Sequence, residues 1–162
     1  MLSTRRNSSG MHVFIAFDGS DDGYEALRTL LSQFDRDRSR RVTIAVVAWP
    51  IRESPIWEKA LAHEIEVDDL HRAMADVASR ETARVRALFA PDAPVETIVA
   101  EGDPVEAILA CTAADPPDIA LVGVTGGRHR RAVLAIVDEV IIRTPYLVVV
   151  AHGKRQTAQS AD

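Results

Sequence analysis

The stretch EGDPVEAILACTAADPPDIALVGVTG, residues 101–126, decides the fold of this chain. Asp103 is a favoured helix N-cap residue, and Pro104 suits the first helical position. Glu106, three residues after the cap, completes the sequence signature of a capping box. The stretch therefore predicts a helix that begins at Pro104 and runs to about residue 114.

The same unit, a helix followed by an apolar strand, recurs on both sides of this stretch. Asp115-Pro116-Pro117 ends the helix, and residues 118–122 then predict a strand. Further strands are predicted at 11–17, 42–48, 95–100 and 146–151. Three further helices are predicted: one capped by Ser20, one at 67–89 and one at 132–143. Strands without polar alternation are buried on both faces. The chain is therefore predicted to be an α/β protein with a doubly wound, five-stranded parallel sheet and helices on both faces.

Length and charge exclude several classes of protein. The chain has 162 residues, a formal net charge of −5 and one cysteine, Cys111. The length fits one domain, predicted at 11–151 between disordered tails at 1–10 and 152–162. An acidic chain lacks the basic surface that attracts phosphate backbones, so no nucleic acid and no membrane partner is predicted. With one cysteine, the chain can form no internal disulfide. It has no apolar run near the 18 residues of a membrane span and no recognisable signal peptide, so a cytoplasmic protein is predicted.

Three segments follow strands at the edge of the sheet where ligands of parallel α/β proteins bind. They are Asp18-Gly19-Ser20, Val47 to Trp49, and Gly123 to Arg131. In the last segment, glycines allow a tight turn that exposes backbone N–H groups. The helix that follows contributes the positive end of its dipole, and the combination is typical of a phosphate site. The residues predicted to hold the anion are Gly123, Gly126, Gly127, Arg128, Arg130 and Arg131. The segment is neither a Walker A loop nor a Gly-x-Gly-x-x-Gly fingerprint, so a plain surface turn is the alternative.

Other candidate residues favour structural roles. Cys111, on a predicted helix, is interpreted as a small buried hydrophobe rather than a nucleophile. His63 and His71 are eight residues apart, which does not match the i, i+4 spacing of a zinc site, so no metal is predicted. The chain has no Gly-x-Ser-x-Gly elbow and no Ser/His/Asp set, so no catalytic residue is assigned and a slow ATPase stays an open alternative. In the segment from Trp49 to Ile65, the two tryptophans either hold the loop in place by packing or belong to a lid over the site.

Five segments, in the right order, resemble the universal stress protein family. They are VFIAFDGS (13–20), VTIAVVA (42–48), EGDPVEAIL (101–109), DIALVGVTG (118–126) and DEVIIRTPYLVVV (138–150). The resemblance implies a sheet in the strand order 3-2-1-4-5. It also implies a homodimer in which the fifth strands, here Leu147 to Val150, pair across a two-fold axis. An exposed apolar edge strand needs a cover, so physical reasoning also favours self-association.

The resemblance further implies an adenine nucleotide site, because some members of the family bind ATP. The residues that match this site are Ala16, Asp18, Val47, Val122, Gly123 and Gly126. In the binding members, a Gly-Ser or Gly-Thr pair at the start of the last helix holds the phosphates, and this chain departs there. Depending on the alignment, Ala135-Ile136 or Ile136-Val137 takes its place, so the hydroxyl donor is missing. Losing two hydrogen bonds to phosphate weakens binding by about two to four decades.

The resemblance as a whole implies a stress-response protein of this type. It is expected to be a homodimer that binds ATP or another adenine nucleotide weakly through a degenerate Gly-x-x-Gly site. The loop arginines at 128 and 130 would partly compensate for the missing hydroxyl. The alternatives are an interaction module of the same fold that binds no nucleotide, with a protein partner that the sequence does not name, and a weak ATPase.

Overall fold

Five strands form one parallel sheet in the computed structural model, which describes residues 10–33, 41–48, 70–124 and 130–152. The strands are β1 (His12–Phe17), β2 (Arg41–Ala48), β3 (Val95–Glu101), β4 (Ile119–Val124) and β5 (Leu147–His152). Their order across the sheet is β3-β2-β1-β4-β5, and each neighbouring pair is parallel. The predicted α/β fold with the order 3-2-1-4-5 is confirmed.

Four helices lie between these strands in the described part of the chain. They are α1 (Asp21–Gln33), α2 (Leu70–Arg86), α3 (Pro104–Ala114) and α4 (Arg130–Arg143). The predicted ends at 114 and 143 are confirmed, whereas α2 ends at Arg86 instead of 89 and α4 begins at Arg130 instead of 132. After Arg86 the backbone hydrogen bonds join residues three positions apart, as in a 3₁₀ turn. The Leu88 N–H donates to the Val85 carbonyl, and the Phe89 N–H donates to the Arg86 carbonyl. Such tighter bonds are common at the last turn of a helix.

The N-cap of α3 forms as predicted, but the capping box does not close. Asp103 Oδ1 accepts a hydrogen bond from the backbone N–H of Glu106 at 3.0 Å. The Glu106 carboxylate accepts a hydrogen bond from Arg143 Nη1 at 2.6 Å, at the end of α4. The guanidinium, which comes from 37 residues away, gives the carboxylate a charge-assisted partner. The predicted capping box at Glu106 is therefore wrong, and this carboxylate ties α3 to α4 instead.

Alternate side chains of β1 point to opposite faces of the sheet, and each face has its own apolar cluster. Val13, Ile15 and Phe17 belong to a first cluster with residues of α1 and α2. Phe14 and Ala16 belong to a second cluster with residues of α3 and α4. No residue of β1 is more than 5% exposed. Because both faces are covered, this strand is apolar along most of its length, as its sequence indicates.

His12, the first residue of β1, joins three elements at the amino-terminal edge of the sheet. Its Nε2 lies 2.9 Å from Thr43 Oγ1, and its Nδ1 lies 3.3 Å from the carbonyl oxygen of Pro116. Its backbone N–H donates to Asp118 Oδ2 at 2.8 Å, and the Asp118 N–H donates to the His12 carbonyl oxygen at 3.0 Å. Since a carbonyl can only accept, the neutral ring carries its proton on Nδ1 and accepts the Thr43 hydroxyl at Nε2. The buried imidazole thus fastens β1 to β2 and to the turn before β4.

A salt bridge beside His12 joins β2 to the residue that follows α3. Arg41 donates to both carboxylate oxygens of Asp115, with 2.8 Å between Nη2 and Oδ1. The hydrogen bond from Arg41 holds the pKa of Asp115 below its ordinary value, and the charge of His12, when that ring is protonated, acts in the same direction. The folded chain therefore holds this carboxylate ionised at pH values where the unfolded chain begins to protonate it.

We expect Asp115→Asn to remove part of the acid sensitivity of the fold. Because the pKa of Asp115 is lowered on folding, the salt bridge stabilises the protein above the ordinary carboxyl pKa. That stability is lost as the pH falls through the lower value of the folded state. The two side chains are 45% and 46% exposed, so solvent screening limits the loss to about 1 kcal/mol or less.

The measurement is the urea midpoint at several pH values between about pH 5 and pH 3. The midpoint of Asp115→Asn should fall less over this range than that of the wild type. Asp92→Asn, which changes an exposed carboxylate in the turn before β3, should follow the wild type. An identical fall in Asp115→Asn and the wild type would show that the salt bridge carries no acid-dependent stability.

Candidate functional site

The carboxyl ends of β1 and β4 lie side by side at the point where the strand order reverses. The chain moves from β1 outward to β2 and β3 on one side, and β4 and β5 fill the other side. Phe17, the last residue of β1, pairs with Gly123 of β4. Ligands of open parallel sheets bind in the crevice at such a switch point. Asp18 directly follows β1 and is therefore placed at this crevice.

Asp18 forms a tight turn with the residues that begin α1. Its Oδ1 accepts hydrogen bonds from the Ser20 backbone N–H at 2.9 Å and from Ser20 Oγ at 2.6 Å. Gly19 between them has a φ of 76°, a conformation that glycine adopts without steric cost. Ser20 Oγ accepts the N–H of Gly23 at 2.9 Å, so it caps α1 as predicted. One serine hydroxyl therefore connects the Asp18 carboxylate with the first turn of the helix.

Two glycines let α1 approach this carboxylate and β4 closely. A Cβ atom on Gly23 would lie 2.6 Å from Asp18 Oδ1 and 2.8 Å from Ser20 Oγ, closer than real Cβ contacts. A Cβ atom on Gly123 would lie 3.0 Å from the Gly23 carbonyl oxygen and 3.0 Å from Leu27 Cγ. A side chain at Gly23 therefore displaces the carboxylate, and one at Gly123 pushes α1 away from the sheet.

The other residues that the resemblance implies lie in or near these strands. Ala16 and Val122 pair with each other on β1 and β4, and both are buried in the second cluster. Val47 lies near the carboxyl end of β2, where its backbone pairs with β3. The structure thus places Ala16 on β1 beside Val122 and Gly123 of β4, and Asp18 directly follows the end of β1. Gly126, Gly127 and Arg128 lie outside the described residues.

Helix α4 has arginines at its start and apolar residues further along. Arg130 is its first residue, and the next residue, Arg131, is exposed. Val137 lies two turns later and is 3% exposed within the second cluster, and Ile136 is partly buried against the same cluster. In the alignment that puts Ile136-Val137 at the family's Gly-Ser pair, both residues thus contribute to the packing of α4 on the sheet. In the alignment that puts Ala135-Ile136 there, Ala135 is exposed.

Among the remaining candidates from the sequence, those that the structure describes show no arrangement for chemistry. Burial raises the pKa of the Cys111 thiol, which disfavours the reactive thiolate. Over the residues that the structure describes, no three His, Cys, Asp or Glu side chains gather in a way that could hold a metal ion. None of the described helices is long and apolar enough to cross a membrane. His63 and the segment from Trp49 to Ile65 lie outside the described residues.

Sequence reasoning identified Asp18 and Ser20 but missed Gly23. The sequence predicts only a helix cap for the hydroxyl of Ser20, whereas in the structure it also donates to Asp18. The signal for Gly23 was its place in the first turn of a predicted helix, because glycine inside a helix costs roughly 1 kcal/mol relative to alanine. Glycine, which has no side chain, lets other atoms approach the backbone closely. Here the group that needs the space is the Asp18 carboxylate, which would lie 2.6 Å from a Cβ atom at this position.

Comparison with protein families gives one match over most of the chain. The model of the universal stress protein family matches residues 11–152. Among curated proteins, no relative matches in sequence.

Several solved structures share the fold at low sequence identity. The universal stress protein UspA from Lactobacillus plantarum is 21% identical, with a TM-score of 0.58 over 90% of this chain and 100% of its own. A universal stress protein solved in complex with cAMP is 18% identical, with a TM-score of 0.55 over 90% and 98%. A universal stress protein from Archaeoglobus fulgidus is 14% identical, with a TM-score of 0.54 over 87% and 98%. At identities this low, the likenesses show the fold alone.

Proposed function

The chain belongs to the universal stress protein family, and on that premise we propose that it is a cytoplasmic stress-response protein that binds an adenine nucleotide. The proposed site is the switch point between β1 and β4. The observation that carries the proposal is that Asp18 directly follows Phe17, which pairs with Gly123 where the ends of these two strands meet. A solved protein of the same fold in complex with cAMP gives further support.

The residues at this point suit the two ends of a nucleotide. A carboxylate accepts hydrogen bonds, and the ribose hydroxyls and the adenine amino group are donors, so Asp18 suits the nucleoside. The exposed Arg131 and the amino-terminal end of α4 carry positive charge, which suits a phosphate. Gly123 lies one residue before the end of β4 and pairs there with Phe17, the residue before Asp18. The nucleoside is therefore placed toward β1, and the phosphate toward α4.

We expect nucleotides with one phosphate, AMP or cAMP, to bind at least as tightly as ATP. Ile136 and Val137 carry no side-chain donor for a long phosphate chain. The cost of the missing hydroxyl thus falls mainly on ATP.

Calorimetry with AMP, cAMP and ATP tests the proposed site. Asp18→Asn keeps an oxygen for the Ser20 hydrogen bonds but removes the charge, so the affinity for AMP should fall about ten- to hundredfold. Asp92→Asn makes the same charge change in the turn before β3 and should leave the affinity unchanged. Equal affinity of Asp18→Asn and the wild type would exclude Asp18 from the site.

The buried Val137 favours one alternative, an interaction module of this fold that binds no nucleotide. In one alignment Val137 stands where the family's phosphate-binding hydroxyl is expected, and in the other the partly buried Ile136 does. A packed apolar side chain at this place is consistent with a lost site. The same calorimetry separates the two functions. No heat from the wild type with any of the three nucleotides at millimolar concentration would favour the interaction module.

We also propose that the protein is a homodimer through β5. In the described sheet, β5 pairs only with β4, so its other edge is open. Leu147 on this strand is 62% exposed, and Ile142 near the end of α4 is 77% exposed. We call Ile141, Ile142 and Leu147 the β5 patch. Open strand edges next to apolar side chains are normally covered, and a second copy of the chain presents a self-complementary edge.

A further inference from the structure

We propose that Ser20 and Gly23 are positioning residues that hold the Asp18 carboxylate in one orientation for the nucleotide. The inference rests on the proposed function and concerns the same site. It deepens that function because it assigns part of the affinity to two residues that need not touch the ligand. Ser20 fixes the carboxylate by hydrogen bonds, and Gly23 fixes it by steric fit.

Ser20 binds the carboxylate through two donors on the same oxygen. Both its backbone N–H and its hydroxyl donate to Asp18 Oδ1, at 2.9 and 2.6 Å. The hydroxyl also accepts the N–H of Gly23 at 2.9 Å, which leaves its proton free to point at the carboxylate. Because Ser20 is buried, water competes poorly for these bonds. The orientation of Asp18 is therefore coupled to the first turn of α1.

Gly23 provides the space into which this carboxylate packs. A Cβ atom there would lie 2.6 Å from Asp18 Oδ1, 2.8 Å from Ser20 Oγ and 3.2 Å from Phe17 Cε2. The hydroxyl and the ring are themselves held, by the helix N–H and by the first apolar cluster respectively. Any larger residue at position 23 therefore displaces the carboxylate.

A carboxylate that is ordered before binding costs less entropy when the ligand arrives. Fixing one side chain on binding costs an amount that corresponds to about a three- to tenfold change in affinity. We expect Ser20 to supply this factor. We expect Gly23 to supply a larger one, because a side chain at this position would displace the carboxylate and not only loosen it.

The first experiment removes the hydroxyl and then restores it. Ser20→Gly keeps a residue that caps helices almost as well, so α1 is little changed. Its dissociation constant for AMP, measured by calorimetry, should rise about three- to tenfold. Ser20→Thr retains the hydroxyl and should restore the wild-type value to within about twofold. Ser32→Gly, at an exposed serine near the end of the same helix, should leave the affinity unchanged.

The second experiment fills the space beside the carboxylate. Gly23→Ala should weaken AMP binding at least about tenfold. The matched variant is Gly102→Ala. Gly102 has a φ of 100°, and its added Cβ atom would meet nothing within 4 Å. That variant strains the backbone without touching Asp18, so it should bind AMP as the wild type does.

A measurement without nucleotide separates this inference from the proposed function. Three-bond NMR couplings report whether the Asp18 side chain occupies one rotamer. The wild type and Ser20→Thr should show one rotamer, and Ser20→Gly should show an average of several. A single rotamer in Ser20→Gly, or unchanged AMP affinity in both Ser20→Gly and Gly23→Ala, overturns the inference. If the wild type binds no nucleotide, the proposed function fails, and the couplings still decide whether Ser20 orders Asp18.

Discussion

Phe14→Ala is expected to lower the free energy of unfolding by about 3 to 5 kcal/mol. Phe14 lies on the central strand β1, is 1% exposed and packs in the second cluster between the sheet and helices α3 and α4. Alanine removes the whole ring and leaves a cavity that the rigid sheet cannot close. Since domains have a total stability of about 5 to 15 kcal/mol, this is a large share of it. Urea unfolding followed by circular dichroism measures the change.

Two further variants make this measurement specific. Phe14→Leu fills much of the same space and should cost clearly less than alanine. Val99→Ala removes a more exposed side chain on the edge strand β3 and should stay within about 0.5 kcal/mol of the wild type. A loss below about 1 kcal/mol for Phe14→Ala would mean that this ring is not part of a packed core.

Introducing Ile142→Glu and Leu147→Glu together is expected to weaken the proposed dimer at least about a hundredfold. Both side chains belong to the β5 patch, and in a two-fold interface each substitution appears twice. Four carboxylates would then be brought together and removed from water. Like charges placed opposite each other in an interface cost several kcal/mol. Sedimentation velocity over a concentration series measures the dissociation constant of the dimer.

The matched variant is Val99→Glu on the opposite edge of the sheet. Val99 is also a large hydrophobic residue with an exposed side chain, but it lies on β3. The double variant should be a monomer at concentrations where Val99→Glu is still a dimer. A wild type that is monomeric at about 100 μM would contradict the dimer. Loss of the dimer in Val99→Glu alone would place the interface on β3.

The sequence predicted the fold well because the features that define it are local. Apolar runs mark buried strands, and the Asp103-Pro104 pair marks a helix start whose hydrogen bond spans only three residues. The wrong prediction at Glu106 has the opposite cause. Its partner, Arg143, comes from another helix, and no local pattern reveals that the two side chains meet. The prediction failed because the Glu106 side chain pairs with a residue that is close in space but distant in sequence.

The candidate site was predicted less completely for the same physical reason. Asp18 could be found because it follows a strand that ends at the ligand-binding edge. Glycine is needed at positions 23 and 123 because α1 lies close to β1 and β4. How closely these elements approach is set by the fold and cannot be read from the local sequence. The packing of Val137 likewise depends on which side of α4 faces the sheet. Sequence reasoning therefore located the crevice but not the contacts that shape it.

The bonds between His12 and Asp118 have a consequence for the chain as it is synthesised. They join residues that are 106 positions apart. Until β4 leaves the ribosome, the central strand β1 can pair only with β2, and its other edge stays open. At roughly 5 to 20 residues per second, this interval lasts about 5 to 20 seconds. During that time an apolar strand edge is accessible to other chains, so the nascent protein is most prone to aggregation before its fourth strand arrives.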